Sequence, residues 1–85
     1  MNNKITKDQI DELISKSNID DVKMGEKSTV VALTLPNGFT IIESSSCVDV
    51  ANYDHELGKS ICIERITNKI WELEGYRLQC KLNEK

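Results

Sequence analysis

Residues 28–46 read STVVALTLPNGFTIIESSS and contain two runs that are rich in β-branched residues. Alternate side chains of these runs would lie on one face, which carries Val31, Leu33, Leu35, Phe39, Ile41 and Glu43. A period of two is typical of β-strands. Between the runs, Pro36-Asn37-Gly38 combines a fixed φ with residues that adopt positive φ, as a tight turn requires. The stretch therefore predicts an antiparallel β-hairpin.

A further strand is predicted immediately upstream of the hairpin, over residues 21–24, with Gly25 turning the chain back. The sheet would then be either a hairpin or three-stranded. Because the hairpin arms carry apolar side chains on both faces, we expect a helix on one face and another subunit or helix on the other.

The N-terminal segment has a complete helix start. Thr6 is the predicted N-cap, and Gln9 closes a capping box with it. Ile5 is placed to pack on Ile10. The apolar stripe is narrow and consists of Ile10, Leu13 and Ile14. We therefore predict a short helix that docks on the rest of the fold.

The last third of the chain predicts a long main helix, with Asp54 as its N-cap. Its apolar side chains form two seams at helical spacing, one with Ile63, Ile66, Ile70 and Leu73, the other with Leu57, Ile61 and Trp71. Two apolar faces in so small a chain indicate that a partner subunit covers one of them, and we assign the second seam to this interface. Two helix ends are compatible with the sequence: Gly75 as a left-handed C′ residue, or a helix that runs through Gly75 to about Lys81.

The chain has 85 residues and a net charge of -3, so we expect a single α+β domain over residues 1–85. A chain of this size has a small hydrophobic core, and small domains are often stabilised by self-association. Residues 28–58 contain four acidic and no basic side chains, whereas residues 59–85 contain six basic and four acidic ones. This asymmetry would serve subunit pairing or a small anionic ligand. A pI near 5.1 argues against binding to duplex nucleic acid.

The three cysteines, Cys47, Cys62 and Cys80, have no CxxC spacing, and the chain has one histidine. An odd number of cysteines without ligand spacing predicts reduced thiols in a cytosol, with no metal and no cofactor. The first residues lack the basic start and apolar run of a signal peptide, and no stretch predicts a membrane span.

The only imidazole is that of His55, which Asp54 and Glu56 flank. A carboxylate beside an imidazole can serve proton transfer, but these three residues are equally typical of an acidic first helical turn. The chain contains no nucleophile elbow, zinc-protease motif or phosphate-binding glycine loop. We therefore expect a protein that is not an enzyme and has no catalytic residues.

The sequence supports ligand binding better than it supports catalysis. Arg65 and Lys69 lie four residues apart on the predicted helix, a spacing that can clamp a phosphate. Tyrosines can stack on a nucleotide base. The candidate ligand-binding residues, which combine cationic, amide and aromatic groups, are Arg65, Asn68, Lys69, Tyr53, Tyr76 and Arg77. The alternatives are a solvated helix face for the cations and burial in a core or an interface for the aromatic rings.

Three ordered motifs occur along the chain: TLPNGF at 34–39, ESSSCVD at 43–49 with ANYD at 51–54 and Gly58, and KIWELEGY at 69–76. Together they resemble the phage Gp49-like family, which is related to the N4 gp49 and Sf6 gene-66 products. The resemblance covers about residues 29–79. Family members tend to have Pro after CVD, where this chain has Val50. The resemblance therefore does not extend to the turn that follows CVD.

The resemblance implies a phage accessory protein that acts in the cytosol of a bacterial host. Small oligomeric phage proteins of this size often inhibit host defence, and some bind cyclic nucleotide signals between subunits. We therefore expect a homo-oligomer that sequesters a small phosphorylated nucleotide, with the six candidate residues in a pocket at a subunit boundary. The alternative is a protein that binds a host or phage protein through the last helix around Trp71. A nucleotide hydrolase acting through His55 is a third hypothesis.

Overall fold

The structure is a computed structural model and describes residues 3–84. Helix α1 spans Lys7–Ser15, strands β1, β2 and β3 span Asn18–Met24, Ser28–Thr34 and Thr40–Ser46, and helix α2 spans His55–Asn83. A 3-10 turn at Val50–Asn52 separates β3 from α2. The predicted α+β fold is confirmed, with the three-stranded form of the sheet.

The strands form one antiparallel sheet in the order β1-β2-β3. Asp21 of β1 pairs with Val31 of β2, which pairs with Glu43 of β3. Both connections contain a glycine with positive φ, 73° at Gly25 and 93° at Gly38, as the turns predict. Strand β1 is seven residues long and begins earlier than predicted, because all of its residues pair with β2.

Helix α1 begins with the predicted capping box. The Gln9 amide donates to Thr6 Oγ1 at 3.3 Å, and the Thr6 amide donates to Gln9 Oε1 at 2.9 Å. Ile10 is 1% exposed and fixes the helix to the core. Three further apolar residues pack against the core at its edge, namely Ile5, Leu13 and Ile14.

The hydrophobic core lies between the sheet and α2, with α1 at one end. Its buried members are Ile10, Val31, Leu33, Ile41, Cys62, Ile66 and Ile70. The buried stripe of α2 advances in steps of four residues, through Gly58, Cys62, Ile66 and Ile70. The first predicted seam is therefore correct for Ile66 and Ile70 and wrong for Leu73, which is 38% exposed because the helix has passed the end of the sheet.

Helix α2 runs through Gly75 and ends at Asn83. A helix end at Gly75 is thus wrong, and the alternative of a continuing helix is confirmed. At 29 residues α2 is about 43 Å long, whereas a seven-residue strand is about 23 Å long. The C-terminal half of α2 therefore projects beyond the sheet, and α1 packs beside it.

The sheet face opposite α2 is uncovered in the single chain. Side chains alternate between the two faces of a strand, so the neighbours of the buried positions lie on this outer face. Val22, Met24 and Ile42 are exposed there, by 50–61%. The second layer that we expected on this face is not supplied by residues 3–84.

Candidate functional site

The segment before α2 is organised by two carboxylates. The Ala51 amide donates to Asp49 Oδ1 at 3.0 Å, which starts the 3-10 turn. The Leu57 amide donates to Asp54 Oδ1 at 3.2 Å, which caps α2 as predicted. Together these caps set the direction in which the chain enters α2.

A chain of hydrogen bonds joins this segment to β1 and β2. Tyr53 Oη lies 2.7 Å from Thr29 Oγ1 and 2.8 Å from His55 Nδ1. His55 Nε2 lies 2.6 Å from Asp21 Oδ2, and Lys59 Nζ lies 3.2 Å from Asp21 Oδ1. Both ring nitrogens of His55 are therefore engaged within the fold.

Asp21 is the anionic end of this network. Hydrogen bonds from His55 and from the neighbouring lysine hold the pKa of Asp21 below its ordinary value of 3.8. The Asp21 carboxylate accepts from Nε2–H of His55. The Tyr53 hydroxyl, which contacts Nδ1 of the same ring, also donates to the carbonyl oxygen of Ser28 at 3.3 Å. The carboxylate that contacts His55 is thus that of Asp21, on β1, and not that of Asp54 or Glu56 beside it in the sequence.

The predicted phosphate clamp on α2 is tied to strand β3. Arg65 Nη1 donates to the carbonyl oxygen of Ser44 at 2.8 Å, and Lys69 Nζ pairs with the Glu43 carboxylate. Asn68 is exposed one turn along the helix. Arg65 and Lys69 therefore fasten the helix to the edge of the sheet, a role that their helical spacing alone did not predict.

The remaining candidate residues lie toward opposite ends of α2. Tyr53 precedes the helix, and Lys23 Nζ lies 5.1 Å from the centre of its ring. Tyr76 and Arg77 lie in the projecting half, about 34 Å from Tyr53 along a helical path. Within one chain the six candidate residues therefore form three separate groups rather than one pocket.

A groove with a volume of about 470 Å³ lies between α1 and the projecting half of α2. Its apolar lining consists of Ile5, Leu13 and Leu78. Its polar lining comes from α1 with its flanking residues and from α2, and consists of Lys4, Gln9, Glu12, Lys16, Glu74, Arg77 and Lys81. Small-molecule sites typically have volumes of roughly 300–1,000 Å³. Of the six candidate residues, Arg77 lines this groove.

Two of the four cations in the groove have an acidic neighbour on their own helix. Lys16 Nζ lies 2.9 Å from Glu12 Oε1. Arg77 donates two hydrogen bonds to Glu74, at 3.0 and 3.2 Å, and this pairing raises the pKa of Arg77. Each of these two cations is balanced by a carboxylate of the groove, so the net charge of the groove depends on Lys4 and Lys81.

The ion pairs within residues 3–84 include neither Lys4 nor Lys81, so the groove carries a net positive charge. Sequence reasoning missed Lys4, Lys16 and Lys81, because the two halves of the groove are separated by the entire sheet along the chain. The basic excess of residues 59–85 was the one sequence signal that pointed toward it.

The outer surface of α2 is partly apolar. Of the predicted interface residues, Leu57 and Trp71 are exposed and Ile61 is half-buried. Leu73 and Tyr76 add to this surface on the projecting half. Their assignment to an interface stays a prediction.

The three thiols differ in environment. Cys62 is buried, which raises the pKa of its thiol, whereas Cys80 is exposed. Cys47 is half-buried, and its Sγ lies 3.3 Å from the carbonyl oxygen of Asp49. Within residues 3–84 no cluster of His, Cys, Asp or Glu is placed to hold a metal ion. No helix of this described part is long and apolar enough to cross a membrane.

Comparison with known proteins gives a match at the level of the family. No curated protein and no solved structure matches the chain. The Phage protein (N4 Gp49/phage Sf6 gene 66) family matches residues 5–82, a range that includes α1, the whole sheet and all but the last residue of α2. The resemblance carried by the three sequence motifs is thereby confirmed, and the chain belongs to the Phage protein (N4 Gp49/phage Sf6 gene 66) family.

Proposed function

We propose that this phage protein is a homo-oligomeric binder, without catalytic activity, that sequesters a small phosphorylated nucleotide and so antagonises an antiviral signal in the cytosol of the bacterial host. The observation that carries the proposal is the cationic groove between α1 and α2, which has the volume of a small-molecule site and an apolar lining. Arg77 and the lysines of this groove are the proposed contacts to phosphate.

Two features support binding rather than catalysis. Both ring nitrogens of His55 are engaged, with Tyr53 and with Asp21, in a network that connects the sheet to α2. Arg65 and Lys69 contact β3. These groups support the scaffold. Lys4 and Lys81, which occur in none of the ion pairs of residues 3–84, remain in the groove for a ligand.

The homo-oligomer is proposed from uncovered apolar surface. The outer face of the sheet and the outer side of α2 both expose large apolar side chains, including Ile42 and Trp71. Burial of such surface against a second copy stabilises an assembly by roughly 25 cal/mol for each Å² removed from water. A chain of 85 residues gains a larger core by this route.

Native mass spectrometry with a panel of linear and cyclic phosphorylated nucleotides tests the proposal. We expect at least one nucleotide to bind, and Arg77→Glu to weaken this binding about tenfold, the loss expected for one charge-assisted contact. Lys7→Glu is the matched control, since it makes the same charge change on the exposed side of α1. Retention of full affinity by Arg77→Glu would place the ligand elsewhere, and failure of the whole panel would contradict nucleotide binding.

The second candidate function is binding to a host or phage protein through α2. It is favoured by the exposure of Trp71, Leu73 and Tyr76 on one stretch of the helix that projects beyond the sheet. Aromatic residues of this kind are typical anchors of protein interfaces. The test is a stoichiometric complex with a purified partner that Trp71→Ala abolishes while circular dichroism stays unchanged. Val48→Ala, at a 94% exposed loop position, is the control that should retain the complex.

A further inference from the structure

We infer that the groove selects an amphiphilic anion, in which one phosphate group is held by Lys4 and Lys81 and an apolar ring system lies on Ile5, Leu13 and Leu78. This inference rests on the proposed function and specifies which part of the ligand meets which part of the groove. The division between paired and unpaired cations carries it.

The first step is the charge balance. Lys16 has Glu12 as its partner, and Arg77 has Glu74. An anionic ligand competes with these carboxylates for the paired cations and meets their repulsion as well. Lys4 and Lys81 occur in none of the ion pairs of residues 3–84, so their ammonium groups are the cations that gain most from a phosphate.

The second step is their common location. Helix α1 ends two residues before β1, and Asn18 at the start of β1 pairs with Thr34 at the hairpin end of the sheet. Helix α1 packs on α2 and places Ile10 in the core, and its C-terminal end leads into β1, so its N-terminal end points away from the sheet. Helix α2 projects in the same direction, with Lys81 in its last turn. Lys4 and Lys81 therefore belong to the outer end of the groove.

The third step is the apolar lining. Ile5, Leu13 and Leu78 are partly buried, and each contributes surface to the groove. Inorganic phosphate has no apolar surface to place against these side chains, and a neutral nucleoside has no charge for the lysines. A ligand that carries both a phosphate and an apolar ring system gains from the lysines and from the apolar side chains. The groove is therefore selective for amphiphilic anions.

The test compares adenosine 5′-monophosphate, adenosine and inorganic phosphate as probes, with the methyl resonances of Leu13 and Leu78 as readout. We expect the monophosphate to shift both sets of methyl signals and to bind at least tenfold more tightly than either fragment. The double variant Lys4→Glu/Lys81→Glu should lose about a hundredfold in affinity for the monophosphate, about tenfold for each lysine, and little for adenosine. Lys7→Glu reverses one charge outside the groove and should bind like the parent chain.

The outcomes separate this inference from the proposed function. If the monophosphate shifts resonances near Arg65 and leaves Leu13 and Leu78 unchanged, the protein binds nucleotides but the inference is wrong. The same conclusion follows if the double lysine variant binds as tightly as Lys7→Glu, or if adenosine binds as tightly as its monophosphate. If the monophosphate and the wider nucleotide panel shift no resonance at all, both the inference and the proposed function are contradicted.

Discussion

The hydroxyl oxygen of Thr29 lies 2.6 Å from the position that a β-carbon on Gly58 would occupy, and the Thr29 β-carbon lies 3.0 Å from it. Helix α2 can approach β2 this closely only because residue 58 has no side chain. This contact gives a structural reason for Gly58, which follows the ANYD motif. The caps give reasons for Asp49 and Asp54 of the same sequence region. The motif therefore describes how the chain enters α2.

Gly58→Ala should destabilise the fold by about 1–3 kcal/mol, because the added methyl group forces the helix away from Thr29. Gly75→Ala is the matched control. It lies in helical backbone, and apart from its own turn of the helix no atom lies within 4 Å of the new β-carbon, so the substitution should stabilise the protein by about 0.5–1 kcal/mol. Urea denaturation measures both values, and equal effects of the two substitutions would contradict the close contact.

Tyr53→Phe should lower the free energy of unfolding by about 1–3 kcal/mol, because the buried Thr29 hydroxyl loses its partner at 2.7 Å. The same change also frees Nδ1 of His55. Tyr76→Phe, at a 72% exposed position, provides the comparison and should change stability by no more than a few tenths of a kcal/mol. A Tyr53→Phe variant as stable as the parent would show that the network adds nothing to stability.

The Asp21 network predicts a pH-dependent term in stability. The pKa of Asp21 is lowered in the folded state, so the carboxylate stabilises the fold above its unfolded value of 3.8 and loses this effect as the pH falls through the folded pKa. The difference in urea midpoint between the parent chain and Asp21→Asn should therefore be largest near neutral pH and shrink below pH 3.8. A difference that is constant from pH 7 to pH 2 would contradict the ionic contribution.

The uncovered sheet face predicts a direct effect on assembly. Ile42→Asp places a charge among exposed apolar side chains of this face and should lower the mass measured by light scattering, while the circular dichroism spectrum stays unchanged. Val48→Asp makes the same kind of change at an exposed loop position and should leave the mass as it is. Equal masses for the parent and the Ile42 variant would exclude this face from the subunit contact.

Local features of the sequence predicted local features of the structure. The capping box at Thr6, the cap at Asp54 and the positive φ of Gly38 depend on neighbouring residues and were correct. The course of α2 beyond Gly75 was left open, because the cost of one helical glycine is small and packing of α1 beside the helix can offset it.

The candidate site was harder to predict because its contacts are long-range. His55 contacts Asp21 on a distant strand, and Lys4 and Lys81 line one groove only because α1 packs on α2. Helical spacing grouped Arg65 with Lys69 correctly, but the strand that binds both side chains is not visible in that spacing. Periodicity therefore predicts which side chains share a face of a helix. The packing of the sheet and of α1 determines which of those faces remain available to a ligand.

The most direct test of nucleotide sequestration starts from protein purified from a bacterium with active nucleotide signalling. Light scattering gives the mass of the native protein, and mass spectrometry identifies any small molecule released on denaturation. We predict an oligomer that releases a phosphorylated nucleotide, and an Arg77→Glu variant that assembles equally but releases much less. An empty monomer would contradict the account and direct attention to a protein partner on α2.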